Sequence, residues 1–311
     1  MSKRLYSNGK LLLTGEYVVL DGALSLAVPT RYGQSMTVKE IDTPELVWKS
    51  LDDSDTIWFE ETFELDSFKH HNKKQSSSPP FQKGKEIADT LYSILKEAKE
   101  INPSFLRGPK GFEVETKLYF PRDWGLGSSS TLINNIAQWA KVDAYELLWK
   151  AFSGSGYDIA CAQYNKPILY QLNNSIPIVE KIDLDLPFND CIYFIHLNKK
   201  QNSREAIAQY QNINFNMESV IRQISEITLK IVSCRDLSVF EGLLMEHEQL
   251  LSHILGIPMV KESLFPNFNG AIKSLGAWGG DFILATGNKK IPEYFKKKGF
   301  ETVIPYAQMV L

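Results

Sequence analysis

The stretch PRDWGLGSSST at 121–131 concentrates residues that could do chemistry. Gly125 and Gly127 let the backbone take positive φ and come close to a ligand. Ser128, Ser129 and Ser130 open a helix, whose first N–H groups and positive dipole end attract an anion. Glycines before such a helix start make a phosphate site. The serine hydroxyls add donors, and one of them could ligate Mg²⁺. The loop lacks the Gly-Lys-[Ser/Thr] ending of a Walker A motif, and it is not GxGxxG. A plain glycine turn with a serine N-cap reads the same way, so the segment alone leaves both open.

Three further segments carry polar groups where they are costly or well aimed. In NGKLLLTGEYVVLDG at 8–22, read as strand–turn–strand, Lys10 opens an apolar strand. An ammonium there is expensive unless it meets an anion or water; an exposed strand edge is the other reading. Glu16, after Gly15, is either a turn residue or a polar contact in a site. In GSGYDIACA at 154–162, Asp158 falls in the first turn of a helix. The macrodipole favours an acid there, and a carboxylate beside a lysine could equally accept a hydroxyl proton. In KSLGAWGGDFILATG at 273–287, Gly276, Gly279 and Gly280 precede an apolar strand. They suggest either close backbone approach to a ligand or a tight helix-to-strand connection.

These segments need elements to hold them. Residues 10–40 read as β-rich, and 45–68 as two or three antiparallel strands around an Asp-rich turn at 52–55. KHHNKKQSSSPP at 69–80 reads as a polar loop. Residues 83–100 form an amphipathic helix with Ile87, Leu91, Ile94, Leu95 and Ala98 on one face. A strand at 111–120 leads to helices at 128–141, at 143–151 and from Ser155, then a strand at PILYQL. Strands near 177–183 and 191–197 precede helices at 204–211, 215–233 and 237–255. A helix at IPEYFKKKG and a strand at ETVIPYAQM close the chain. Strands and helices mix without βαβα alternation, so the class is α+β. The chain is expected to divide near residue 180, into 1–180 and 181–311.

The chain has 311 residues, with 34 Lys+Arg against 37 Asp+Glu, a net charge of −3. That balance points away from nucleic acid and membrane partners, which need clustered basic excess. Cys161, Cys191 and Cys234 are too scattered for a disulfide framework or a zinc site. They read as buried free thiols of a reducing compartment. The longest apolar run near the N-terminus is Leu11 to Leu13, short of a signal-peptide core. The expectation is a cytoplasmic protein with a small-molecule partner. His247 and His253 lie six residues apart, about 120° around a helix, and do not make a shared zinc site.

The order of the four segments resembles the GHMP kinases, the galacto-, homoserine, mevalonate and phosphomevalonate kinases. Gly9-Lys10 through Gly15-Glu16 is similar to the first family motif. Pro121, Gly125, Leu126, Gly127, Ser128 and Ser129 match the second without a gap. Lys273, Gly276, Ala277, Gly279 and Gly280 match the third, with Leu275 in place of Ser/Thr and Trp278 in place of a glycine. Gly154 to Asp158 resembles the segment of the family's catalytic aspartate. The resemblance implies a ribosomal-protein-like N-terminal domain with a left-handed crossover and a ferredoxin-like C-terminal domain, with ATP and acceptor bound between them. It implies that Gly125, Leu126, Gly127, Ser128, Ser129 and Ser130 bind the ATP phosphates, with Ser129 near Mg²⁺. Asp158 would take a proton, and Lys10 would stabilise developing charge. Glu16, Gly276, Ala277, Gly279 and Gly280 would belong to the substrate and third-motif region. The family's Mg²⁺ glutamate would fall at Leu147, which makes its neighbour Glu146 the candidate ligand. The implied reaction is ATP-dependent phosphorylation of a small acid, phosphomevalonate or mevalonate. A sugar or amino-acid hydroxyl, or a homologue that binds and turns over poorly, is the alternative.

Overall fold

The computed structural model describes residues 2–65, 69–70, 79–199, 203–278 and 280–311, and only the backbone of 69–70, 79–83 and 203–204. Most of the expected 69–80 loop and Gly279 therefore lie outside the described residues. The fold is α+β. It forms two compact units that interleave in sequence. One holds Met1–Gly9, Tyr32–Arg122 and Gly127–Gln163; the other holds Lys10–Arg31, Asp123–Leu126 and Tyr164–Leu311. The chain crosses from one to the other several times, instead of once near residue 180. Two long strands, β1 (Ser2–Leu12) and β2 (Ser25–Ile41), each contribute to both units.

In the first unit, β3 (Glu45–Leu51) and β4 (Ile57–Glu64) form an antiparallel hairpin. Asp52 Oδ1 accepts from the N–H groups of Ser54 and Thr56 and closes its turn. With β5 (Lys69–His70) and β6 (Gly111–Leu118) the order is β5-β4-β3-β6-β2, and β3 runs parallel to β6. Alternation along β3 buries Leu46, Trp48 and Ser50. Trp48 Nε1 and Thr116 Oγ1 both donate to Ser50 Oγ, so that buried hydroxyl is satisfied. Helices α1 (Pro79–Ile101), α2 (Ser128–Ala140), α3 (Ala144–Ala151) and α4 (Tyr157–Gln163) complete the unit. The core takes Leu91, Ile94, Leu95 and Ala98 from α1, as its periodicity requires, with Ile133, Ile136 and Ile159 from α2 and α4.

In the second unit, β7 (Ile168–Asn173) pairs with the start of β2 and with β8 (Ile176–Lys181). A separate antiparallel sheet runs β10 (Ile272–Ser274), β11 (Phe282–Thr286), β9 (Ile192–His196), β12 (Val303–Pro305). The helices are α5 (Ser203–Tyr210), α6 (Met217–Val232), α7 (Leu237–Leu255), α8 (Val260–Leu264), α9 (Ile291–Lys297) and α10 (Tyr306–Met309). Asn216 caps α6 through the N–H of Ser219, and Asp236 caps α7 through that of Val239.

Three local expectations fail for physical reasons. After Gly15 the chain does not form a second strand. Tyr17 takes φ 65° and Val18–Asp21 make a 3₁₀ turn, which buries Val18 and Val19 together where a strand would split them. Gly276 and Gly280 lie between two strands, β10 and β11, not between a helix and a strand. After Pro305, which ends β12, the final YAQM coils into α10. All three cysteines are free, but Cys191 is only half-buried.

Candidate functional site

In the first unit, α2 starts on Gly127, which takes φ 89° and gives no side-chain cap. Thr131 N–H donates to the Gly127 carbonyl, while the first turn before it has no capping side chain. An uncapped helix start favours an anion. Ser128 is half-buried and Ser129 exposed. Ser130 is buried, and its hydroxyl donates back to the Gly127 carbonyl at 2.9 Å. Thr131 Oγ1 donates to Gln34 Oε1 at 2.7 Å and anchors the turn to β2.

Asp158 stands in the first turn of α4, half-buried, with Oδ1 accepting from the Ile159 N–H at 3.0 Å. Gly154 and Gly156 take φ 139° and 88°. Trp149 Nε1 donates to the Gly154 carbonyl, which pins the approach to α4 onto α3. Gln163 at the far end of α4 donates to Asn134 of α2, and Asn134 in turn donates to Ser7. The two helices that carry Ser128 and Asp158 are thus tied together within one unit.

In the second unit, Lys10 Nζ donates to the Gly125 carbonyl at 3.0 Å, and its own N–H donates to the Leu126 carbonyl. The ammonium meets a backbone oxygen, which answers the cost that its place in an apolar strand raises. Lys10, Leu11 and Leu12 line a small pocket with Trp124, Gly125, Leu275, Gly276, Asp281 and Phe282. Gly125 has φ 65°, and a Cβ there would sit 2.4 Å from an Asp281 carboxylate oxygen. The positive φ at this close approach favours glycine. Gly125→Ala is expected to destabilise by about 1–2 kcal/mol through the left-handed backbone alone. Gly84→Ala, a helical site with nothing near its Cβ, should shift the melting temperature upward. Thermal denaturation of both variants checks the contrast in sign.

Behind the pocket lies a buried polar network. Lys273 Nζ donates to Glu16 Oε1 and, at 2.8 Å, to the Ser274 carbonyl. His247 Nε2 accepts from the Gly15 N–H at 2.9 Å and lies 3.5 Å from Glu16 Oε2. Glu248 accepts from the Ser274 N–H at both oxygens and from its hydroxyl at 2.7 Å. Burial pushes Glu16 above the ordinary carboxylate range even with the Lys273 ammonium beside it. Burial, and then Lys273, hold His247 well below its usual value, so the imidazole is neutral. Burial also raises Glu248 to about 7. A carboxyl that binds its proton more tightly folded than unfolded favours the fold at low pH. It loses that contribution as pH rises from the unfolded value toward 7. Glu248→Gln should therefore gain stability relative to wild type as pH climbs from about 5 to about 8. Melting temperatures across that range check it; a constant difference would refute it.

No protein-family sequence model matches the chain, and no curated protein matches it by sequence. Solved structures match it in fold. A Methanococcus jannaschii mevalonate kinase is 16% identical with a TM-score of 0.69, over 97% of this chain and 96% of that one. A Streptococcus pneumoniae phosphomevalonate kinase in complex with phosphomevalonate and AMPPNP is 16% identical with a TM-score of 0.66, over 99% and 98%. A Lactococcus lactis galactokinase complexed with galactose is 15% identical with a TM-score of 0.65, over 95% and 88%. The chain has the GHMP kinase fold.

Within this GHMP kinase fold the third-motif residues take distinct places. Gly276 lines the Lys10 pocket, Gly280 is buried, and the Ala277 carbonyl accepts from the Tyr17 hydroxyl at 2.9 Å. Trp278 has φ 53° and packs with Tyr17, Val18 and Tyr210, with its indole buried. Leu275 is buried in the pocket wall. Glu146 is exposed; its N–H caps onto Asp143 Oδ1, so its backbone serves α3. Among the described residues no group of three His, Cys, Asp or Glu side chains could hold a metal ion, and no helix is long and apolar enough to cross a membrane. Sequence reasoning missed Asp281, His247 and Glu248. Asp281 had a signal, an acid directly after the third-motif glycines. The other two had none, since they look like polar interruptions of a helix.

Proposed function

We infer that the protein is an ATP-dependent small-molecule kinase. The observation that carries this reading is the run Gly125 to Ser130. Its first carbonyl accepts from a lysine ammonium, its first glycine takes positive φ close to the Asp281 carboxylate, and its end opens an uncapped helix. That run fits a phosphate chain: the α2 N–H groups and the Ser128 and Ser129 hydroxyls would hold phosphate oxygens. Ser129, exposed at the helix start, is the candidate Mg²⁺ ligand; Glu146 is the weaker one. When bound, ATP with Mg²⁺ supplies the γ-phosphoryl group and neutralises its charge.

The chain's own part is positioning and proton handling. Asp158 would accept the proton of the acceptor hydroxyl. Lys10, held in direction by the Gly125 carbonyl, would offset negative charge as it develops. Phosphoryl transfer asks for little more than this. The kinase structures that share the fold support the same reading.

The proposed acceptor is a small acid of the mevalonate route, with phosphomevalonate ahead of mevalonate. The GEY and GSGYDIACA segments favour it. Lys199 follows β9, and its carbonyl accepts from the Asp281 N–H, so the chain after β9 starts beside the pocket residue Asp281. Trp278 does not favour the reading of a lapsed catalyst, because its indole is taken up in an apolar cluster with Tyr17 and Tyr210. ATP consumption with Mg²⁺ against mevalonate, phosphomevalonate, homoserine, galactose and shikimate tests both levels. Turnover on a mevalonate-route acid is the expected result. Turnover on galactose or homoserine alone would replace the acceptor, and no turnover despite ATP binding would end the kinase reading.

A further inference from the structure

Helix α7 presents a buried stripe of Phe240, Leu244, Leu251 and Ile254, and His247 and Glu248 interrupt it. Both side chains are fully buried. Stability alone would favour apolar residues there, since a buried polar group costs free energy unless it is paired. Neighbours on a helix point about 100° apart. His247 reaches the turn after β1 and holds the Gly15 N–H; Glu248 reaches the end of β10 and holds the Ser274 N–H and hydroxyl.

Those two segments adjoin residues that line the Lys10 pocket. Lys10, Leu11 and Leu12 lie just before Gly15, and Leu275 and Gly276 follow Ser274 directly. A Cβ at Gly15 would lie 2.0 Å from Ser25 Oγ, so the turn fits in one place only. The Lys273–Glu16 pair crosses between the same two segments. We propose that His247 and Glu248 are positioning residues, a clamp on α7 that fixes both walls of the Lys10 pocket and on which turnover depends. The dependence of turnover presupposes the kinase reading; the clamp itself does not.

Glu248 faces Lys273, Glu16 and Ser274. Its ionised form accepts from both Ser274 donors; protonation turns one oxygen into a donor and loosens the grip.

The test uses the full chain with Mg-ATP and whichever acceptor the wild type phosphorylates. His247→Leu and Glu248→Leu remove an acceptor from a buried N–H, whereas His247→Gln and Glu248→Gln keep one. The Leu variants should lose about tenfold in kcat, and the Gln variants should recover most of it. Hydrogen exchange at the Gly15 and Ser274 amides is the activity-independent arm, and the Leu variants should exchange about tenfold faster there. Unchanged exchange would overturn the clamp. So would Leu and Gln variants that lose activity equally and in step with their melting temperatures. If the wild type phosphorylates nothing, the kinase reading fails, while the exchange arm still decides the clamp.

Discussion

Asp158→Asn should transfer phosphoryl groups about 10²–10⁴-fold more slowly than wild type. The substitution keeps shape and leaves one oxygen to accept from the Ile159 N–H, so the first turn of α4 keeps its local bond. What it removes is the negative charge and the basicity. Ser128 and Ser129, the residues proposed to hold phosphate, belong to α2, not α4. ATP affinity, followed by titration of tryptophan fluorescence, should accordingly stay within about threefold of wild type while kcat collapses. An Asp158→Asn enzyme with wild-type kcat would remove Asp158 from the reaction. Equal losses in kcat and in ATP affinity would show that it supports the fold of the site instead.

Lys273→Met should be the most destabilising single change in the second unit. Lys273 and Glu16 are 0% and 1% exposed and form an ion pair. Removing the ammonium strands a carboxylate in a water-free interior, where Glu16 Oε2 already has no hydrogen-bond partner. Breaking one side of a buried pair costs about 3–5 kcal/mol. For a chain of this size that is a fall in melting temperature of roughly 10 °C. Removing both charges, as Lys273→Met with Glu16→Gln, should recover more than half of the loss, because the penalty lies in the orphaned charge. Calorimetry on the two variants and wild type measures it. A single variant as stable as wild type, or a double variant no better than the single, would contradict the pair's role.

Much of this protein is legible in its sequence, because the signals are local. The periodicity of 83–100 sets the buried face of α1, and alternation in ELVWKSL sets which side of β3 faces inward. The glycines and serines at 125–130 announce a tight turn into a helix, and that turn forms with Gly125 and Gly127 at positive φ. The acid in GYDIA sits in a first helical turn, as its place predicts. What only the tertiary structure decided are contacts across long stretches of chain. Glu16 meets Lys273 from 257 residues away, and His247 finds Gly15 from 232. Nothing within a ten-residue window encodes such pairings. They follow from where β1, α7 and β10 come to rest, which packing decides. For the same reason Val18-Val19 reads as a strand and folds as a 3₁₀ turn: burial of two adjacent side chains outweighs β propensity. Local chemistry named the residues proposed to touch the reaction, and packing brought together the distant ones that surround Lys273.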